Sequence, residues 1–347
     1  MSTPSFDRTD GAYGADDCGL ICGFVFDPRA DAPRPVNTRE SLAWLQARAE
    51  QPAGAFLWLH FNLAHNGSER WLRQHAGLSD AFYEALHDGS HSSRIEHVDD
   101  RLIAVLNDVH FDFSYDPSDI STLWVEAAPH LMVSARRQPL RSIDRLRTAV
   151  RGGTAPSSTV ELLVHLLRDQ GDVLVAIVRS LNAKANTIED TLLAGRVDGR
   201  ASELGALRRL IVRLQRVLAP EPAALVRMLQ HPPGWIVAAD VQDIRAAGEE
   251  FAVVLRDMTA LQERIKLLQE EIATVVNEEN NRSLFILTIV TVLVLPINIV
   301  SGLLGMNVGG LPLAQHPHGF WIILGLVIAI TVAAAWIIVA RIRRRTR

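Results

Sequence analysis

The sequence predicts an α/β domain followed by a helical bundle, a long stalk helix and two transmembrane helices. Three observations predict it. Residues 17–156 alternate short runs rich in Val, Ile, Phe and Trp with stretches of helical spacing. Residues 244–275 then carry an apolar seam in steps of three and four. Finally, residues 283–304 and 320–340 are uncharged runs long enough to cross a bilayer core of roughly 30 Å at 1.5 Å per residue.

Composition narrows the classes. The chain has 347 residues, 48% hydrophobic and 21% charged, which accommodates both a soluble core and membrane spans. A net charge of -4 with no long basic face excludes a nucleic-acid binder. The one strong basic run, residues 341–347, predicts a cytoplasmic tail by the positive-inside rule, with anionic lipid as its partner. Two spans then place residues 1–282 in the cytoplasm as well and leave residues 305–319 outside. No N-terminal stretch resembles a secretory signal, in keeping with that topology. Phosphate-loop, His-Glu-x-x-His and Gly-x-Ser-x-Gly motifs are missing, so no enzyme is expected. Cys18 and Cys22 lack third and fourth ligands for zinc and are taken as an incidental pair.

Residues 1–16 are polar and expected to lack order. In the α/β domain, strands are expected at residues 20–26, 56–63, 102–113, 123–125 and 131–134. Helices are expected at residues 38–50, 67–75, 79–88 and 140–151, with Ser, Asn or Asp near most starts. Residues 157–240 form a helical hairpin region, interrupted near 194–198 and stopped by Ala219-Pro220-Glu221-Pro222. The stalk, residues 241–282, presents Ile244, Ala247, Phe251, Val254, Met258, Leu261, Ile265, Leu268, Ile272 and Val275 to partner helices. No Pro or Gly separates it from the first span, residues 283–304, so an unbroken helix of roughly 95 Å would result. The loop 305–319, the second span 320–340 and the tail 341–347 complete the chain.

Gly305-Met306-Asn307 follows the first of two C-terminal spans, and at that position the chain resembles the CorA superfamily of divalent-cation transporters. The run Gly305-Met306-Asn307-Val308-Gly309-Gly310-Leu311-Pro312 is most similar to its zinc-transporting ZntB branch, and residues 94–112 and 133–147 extend the likeness. The resemblance implies a homopentameric funnel in a bacterial inner membrane, with the first span lining the pore. It also implies transport of Zn2+, with Mg2+, Co2+, Ni2+ and Cd2+ as further candidates, and no covalently bound cofactor. A magnesium or cobalt channel of the same fold and a non-conducting, membrane-anchored metal sensor are the alternatives.

The resemblance makes Gly305, Met306 and Asn307 the pore entrance, with the neutral Asn307 amide meeting a hydrated cation. Within the first span Thr288, Thr291, Asn298 and Ser301 fall in an arc of roughly 140° at 100° per residue. Leu284, Leu287 and Leu295 share that stripe. It suits a pore lining of polar rings and apolar constrictions, and equally polar contacts between packed helices. Glu270, Glu271, Glu278 and Glu279 are candidates for an acidic cytoplasmic mouth, or for a solvated face paired with Lys266 and Arg282. The outer loop holds no Asp or Glu, and His316 and His318 are its titratable groups, able to capture zinc or respond to pH. No carboxylate or His lies in residues 283–304, so proton coupling would have to run through water, those His or the cytoplasmic acids. Two further metal-site candidates lie in the α/β domain. Asp108, His110 and Asp112 would share one face of a strand, and His87, His91 and His97 form a second group.

Overall fold

The computed structural model describes residues 14–88, 93–116, 119–196, 199–218, 220–306 and 317–345. Of the residues singled out above, His91, Ala219, Asn307, Val308, Gly309, Gly310, Leu311, Pro312 and His316 lie outside the described residues, as do residues 1–13 of the polar N-terminus and 346–347 of the basic tail. The chain divides into two compact units, Met1–Leu268 and Gln269–Arg347.

The first unit is built on a seven-stranded sheet of β1 (Leu20–Phe26), β2 (Arg34–Pro35), β3 (Phe56–Asn62), β4 (Arg94–Val98), β5 (Arg101–Val109), β6 (Ile120–Ala128) and β7 (Leu131–Arg136). Their order is β2-β1-β3-β7-β6-β5-β4. Central β3 and β7 are parallel, and the remaining neighbours are antiparallel. Helices cover both faces, which is why the inner strands carry continuous apolar runs rather than alternation. On β3 the pleat sends Leu57, Leu59 and Phe61 to one core and Phe56 and Trp58 to the other. Against the first core pack α1 (Thr38–Gln46) through Trp44 and α3 (Asp80–His87) through Phe82 and Tyr83, with Trp71 of the short α2 (Ser68–Trp71). The opposite core takes α4 (Arg141–Arg151), α5 (Thr159–Leu193), α7 (Pro220–Met228) and the start of α8 (Ala238–Leu304).

Helix starts follow capping chemistry. Before α1, Asn37 accepts from the Glu40 amide at 3.0 Å while the Glu40 carboxylate accepts from the Asn37 amide at 2.9 Å. Ser158 likewise caps α5, accepting from the Glu161 amide at 3.0 Å. Helix α6 (Arg200–Leu218) precedes α7, whose first residue, Pro220, occupies the position where a missing N–H costs nothing.

The stalk seam is buried within one chain. Every seam residue from Ile244 to Leu268 is nearly inaccessible. Arg264 of α8 pairs with Glu189 of α5, and Gln215 of α6 donates to Thr259 of α8 at 2.9 Å. The expected packing against partner helices is therefore met, in this segment, by the chain's own helices. Edge strand β4 has no counterpart among the expected strands: its residues are Arg94-Ile95-Glu96-His97-Val98, and only Ile95 is buried.

The strand expected over residues 102–113 stops at Val109, which overturns the Asp108, His110 and Asp112 metal site. His110 forms an isolated bridge to Leu140, and Phe111 and Asp112 lie in a turn, so the three do not share a strand face. Asp108 is instead structural. Helix α4 has no side-chain cap of its own, and Asp108 supplies one from the sheet: it accepts from the Ser142 amide at 2.8 Å, from the Ser142 hydroxyl and from the Val109 amide at 2.8 Å. Burial pushes its carboxyl up to about 6 against the lowering effect of those donors.

The native Asp108 thus holds its proton to higher pH than the unfolded chain does. Its contribution to stability is greatest below the unfolded value of 3.8 and is lost as pH rises through about 6. In denaturant titrations of the detergent-solubilised protein, the stability of wild type relative to Asp108→Asn should fall by about 2 kcal/mol between pH 3.8 and 6.5. A difference that stays constant across this range would show that the carboxyl is charged throughout.

Candidate ion pathway

The second unit contains the C-terminal part of α8 and the helix α9 (Gly319–Arg345). Both are long and apolar enough to cross a membrane. No charged or His side chain occurs in residues 283–306. In hydrocarbon backbone polar groups must be met internally, which a continuous helix does except where its ladder is broken. Pro296 interrupts the ladder, since it has no N–H to offer the Val292 carbonyl.

The threonines satisfy themselves. Thr288 donates to the Leu284 carbonyl at 2.8 Å and Thr291 to the Leu287 carbonyl at 2.9 Å. Asn298 differs: its amide is exposed and bonds to no described residue. A side-chain amide left to lipid is costly, so this face requires water or another protein surface. Partial cover on this part of α8 falls on Ile289, Leu293, Pro296 and Val300, the opposite side of the helix from Thr291 and Asn298. Leu284, Leu287, Thr291, Leu295, Asn298 and Ser301 are all exposed. At the end of α8 the Gly305 amide donates to the Ser301 carbonyl at 2.9 Å. A Cβ at Gly305 would stand 3.1 Å from that oxygen, tighter than ordinary contact, so glycine suits the closing turn. Met306 is exposed beside it.

The four acids below the span are exposed but do not share one face. Taking Leu284 as zero at 100° per residue, Glu270 sits near 40°, Glu278 near 120°, Glu271 near 140° and Glu279 near 220°. The uncharged Asn277 and Asn280 instead fall within about 40° of Leu284, in line with Thr291 and Asn298. Only Glu270 of the acids joins that stripe.

The remaining candidates are scattered. His318 gives its backbone carbonyl to the amides of Trp321 and Ile322 at the start of α9. His87 bonds through Nδ1 to the Tyr83 carbonyl at 2.7 Å, whereas His97 lies on β4. Cys22 is buried, and burial pushes its thiol up to about 12, far from the thiolate a metal would need. The Cys18 thiol is also raised, by burial and then by Asp16 and Asp17. Among the described residues no group of three or more His, Cys, Asp or Glu converges on a metal position.

A family model described as CorA-like Mg2+ transporter protein matches residues 53–345. The chain is similar to the divalent cation transporter CmaX of Pseudomonas aeruginosa, with 31% identity over 331 residues, 93% of this chain and 96% of that one. It is 25% identical over 290 residues to the zinc transport protein ZntB of Yersinia enterocolitica, covering 84% of this chain and 87% of that protein. The solved structure of full-length CmaX superposes with a TM-score of 0.78 at 29% identity, over 95% of this chain and 99% of that one.

The exposed polar side of α8 has a direct chemical test. With Cys18 and Cys22 replaced by Ser, cysteines at Thr291 and Asn298 should react with a water-soluble thiol reagent at least about tenfold faster than cysteines at Leu293 and Val300, because only a watered thiol reaches the thiolate state. Equal rates at the four positions would show that water has no preference for that side.

Proposed function

The chain belongs to the CorA-like Mg2+ transporter family, and on that premise we propose that it carries divalent cations, zinc foremost, through a pathway formed where copies of α8 surround a common axis. The observation that carries this reading is the uncharged stripe of Asn277, Asn280, Thr291 and Asn298, leading to Gly305, Met306 and Asn307. Neutral oxygens suit an ion that keeps much of its water, whereas a fixed carboxylate ring would hold it. A dry zinc site would demand three or four His, Cys or carboxylate ligands. Asn307 is the residue assigned to meet the incoming ion, with Leu284, Leu287 and Leu295 as apolar constrictions and Ser301 near the mouth. His316 and His318 are the loop's nitrogen donors and support zinc over magnesium, as does the loop's likeness to the ZntB branch. The soluble-domain acids play no part in this pathway.

Self-association follows from enclosure, because two spans from one chain cannot surround an aqueous path. The first unit offers a surface for it. Outside the buried seam, α8 exposes Val253, Ala260 and Leu267 at seven-residue spacing, an apolar stripe that the described residues leave largely open. The proposed assembly is a homopentamer in a bacterial inner membrane, with both termini cytoplasmic and the tail from Arg341 onward against anionic lipid. Glu270, Glu271, Glu278 and Glu279 then supply a diffuse negative field at the cytoplasmic mouth rather than direct ligands.

In proteoliposomes with membrane potential and pH clamped separately, zinc flux should exceed that of magnesium and cobalt. Flux of magnesium above zinc would favour a magnesium channel of the same fold. Asn307→Ala should reduce zinc flux at least about tenfold, the effect of losing a charge-assisted contact of about 1.5–3 kcal/mol, while the oligomer remains intact by native mass spectrometry. Undiminished flux in that variant would remove Asn307 from the pathway. An imposed pH gradient should change zinc flux at constant potential; indifference to pH would mark a passive channel driven by potential alone.

A further inference from the structure

Within the first unit, the end of α3, the start of β6 and the outward side of α6 enclose a cavity of about 430 Å³. Its lining combines three kinds of surface. Leu86, Ile120 and Val217 form an apolar wall. Asn107 and Thr122 form a buried polar floor, in which the Thr122 hydroxyl donates to the Asn107 side-chain Oδ1 at 3.1 Å and the Asn107 side-chain amide donates to the Ser93 hydroxyl at 2.8 Å. Arg137 and Arg213 are two cationic lining residues, the first from the segment after β7 and the second from α6.

Neither of these arginines has a carboxylate partner among the described residues. Arg137 lies over the Trp124 ring with its guanidinium carbon 5.7 Å from the centroid, a cation–π contact that leaves its charge without a carboxylate partner. The acid at the rim, Asp88, is already paired with Arg94 at 3.0 Å. Helix α6 adds no negative charge nearby: from residue 206 to 218 it carries Arg208, Arg209, Arg213 and Arg216 and no Asp or Glu. Positive charge held in a concave, partly apolar site attracts anions, and paired guanidiniums match the tetrahedral oxygens of a phosphate.

We propose that this cavity binds a small phosphorylated organic anion of mononucleotide size. The phosphate lies between Arg137 and Arg213, and the ring or sugar body rests on the wall of Leu86, Ile120 and Val217 above the Asn107 and Thr122 floor. The cavity volume falls within the range of small-molecule sites, and the mix of apolar wall and few polar groups is what such sites use. A bare metal ion is disfavoured by the two unpaired cations. The site is separate from the ion pathway, so its failure would leave the transport reading untouched.

Calorimetric titration of the full-length protein in detergent, with EDTA present to remove divalent metal, tests it with AMP and inorganic phosphate as probes. AMP should bind saturably and more tightly than phosphate. Arg137→Gln and Arg213→Gln should each weaken AMP at least about tenfold, the loss of a charge-assisted bidentate contact, whereas Arg216→Gln, outside the cavity, should change it less than about twofold. Both lining arginines are exposed, so the variants are expected to fold, and the rise in unfolding temperature with AMP gives a second readout. No saturable AMP binding would overturn the proposal. So would equal weakening by Arg216→Gln, which would mean a diffuse field, or phosphate binding as tightly as AMP, which would mean no role for the apolar wall.

Discussion

A helix in hydrocarbon has no solvent for an unmet polar group, and that constraint governs how residues 283–304 of α8 are composed. Residues 283–304 carry no charge, their threonines bond back to their own turn, and their exposed side-chain amide, Asn298, is the group that lipid cannot satisfy. The polar stripe, the opposite partly covered side and the need for an aqueous or protein neighbour all follow from this one condition. Pro296 is tolerable there because a single missing donor is cheaper than a charge.

In the first unit the corresponding constraint is burial on both faces of the sheet. Polar groups survive inside only where partners are supplied. Glu126 of β6 is buried and accepts from the amide and hydroxyl of Ser79 and from Arg101, anchoring the start of α3. His60 is buried beside Arg136, which donates to its Nε2 at 3.1 Å while Nδ1 faces Ser134 at 2.9 Å. Burial and then the Arg136 charge hold that imidazole well below its usual value, so it stays neutral. Asp108 capping α4 is the same device. These acids and this histidine are structural joints between layers rather than metal ligands.

The α5, α6 and α8 bundle continues the theme with surface chemistry. The buried seam from Ile244 to Leu268 joins α8 to its own chain, and the ion pair of Arg264 with Glu189 sits at its side. What the bundle leaves exposed then becomes informative: an apolar stripe on α8, and a basic side on α6 bordering a cavity. Each surface has unused binding capacity of a different chemical kind, apolar in one case and anionic in its preference in the other.

Local chemistry was legible in the sequence by itself. The run Leu20–Phe26, apolar and bounded by Gly19 and Asp27, specifies its strand, and the steps of three and four from Ile244 specify a helix with one buried side. The length and lack of charge of residues 283–304 specify a span, because the cost of burying backbone and charge in lipid depends on composition alone. Tertiary structure decided what those sides meet. The β4 edge strand is mostly polar and is defined only by pairing with β5, and the alternation at Asp108, His110 and Asp112 imitates a strand face until the chain turns after Val109. Arg137 and Arg213 lie 76 positions apart in the chain and share a cavity only once β7 and α6 are packed in one unit. Periodicity and transfer energy are properties of neighbouring residues, whereas cavities, caps across layers and partner choice arise from contacts between segments far apart in the chain.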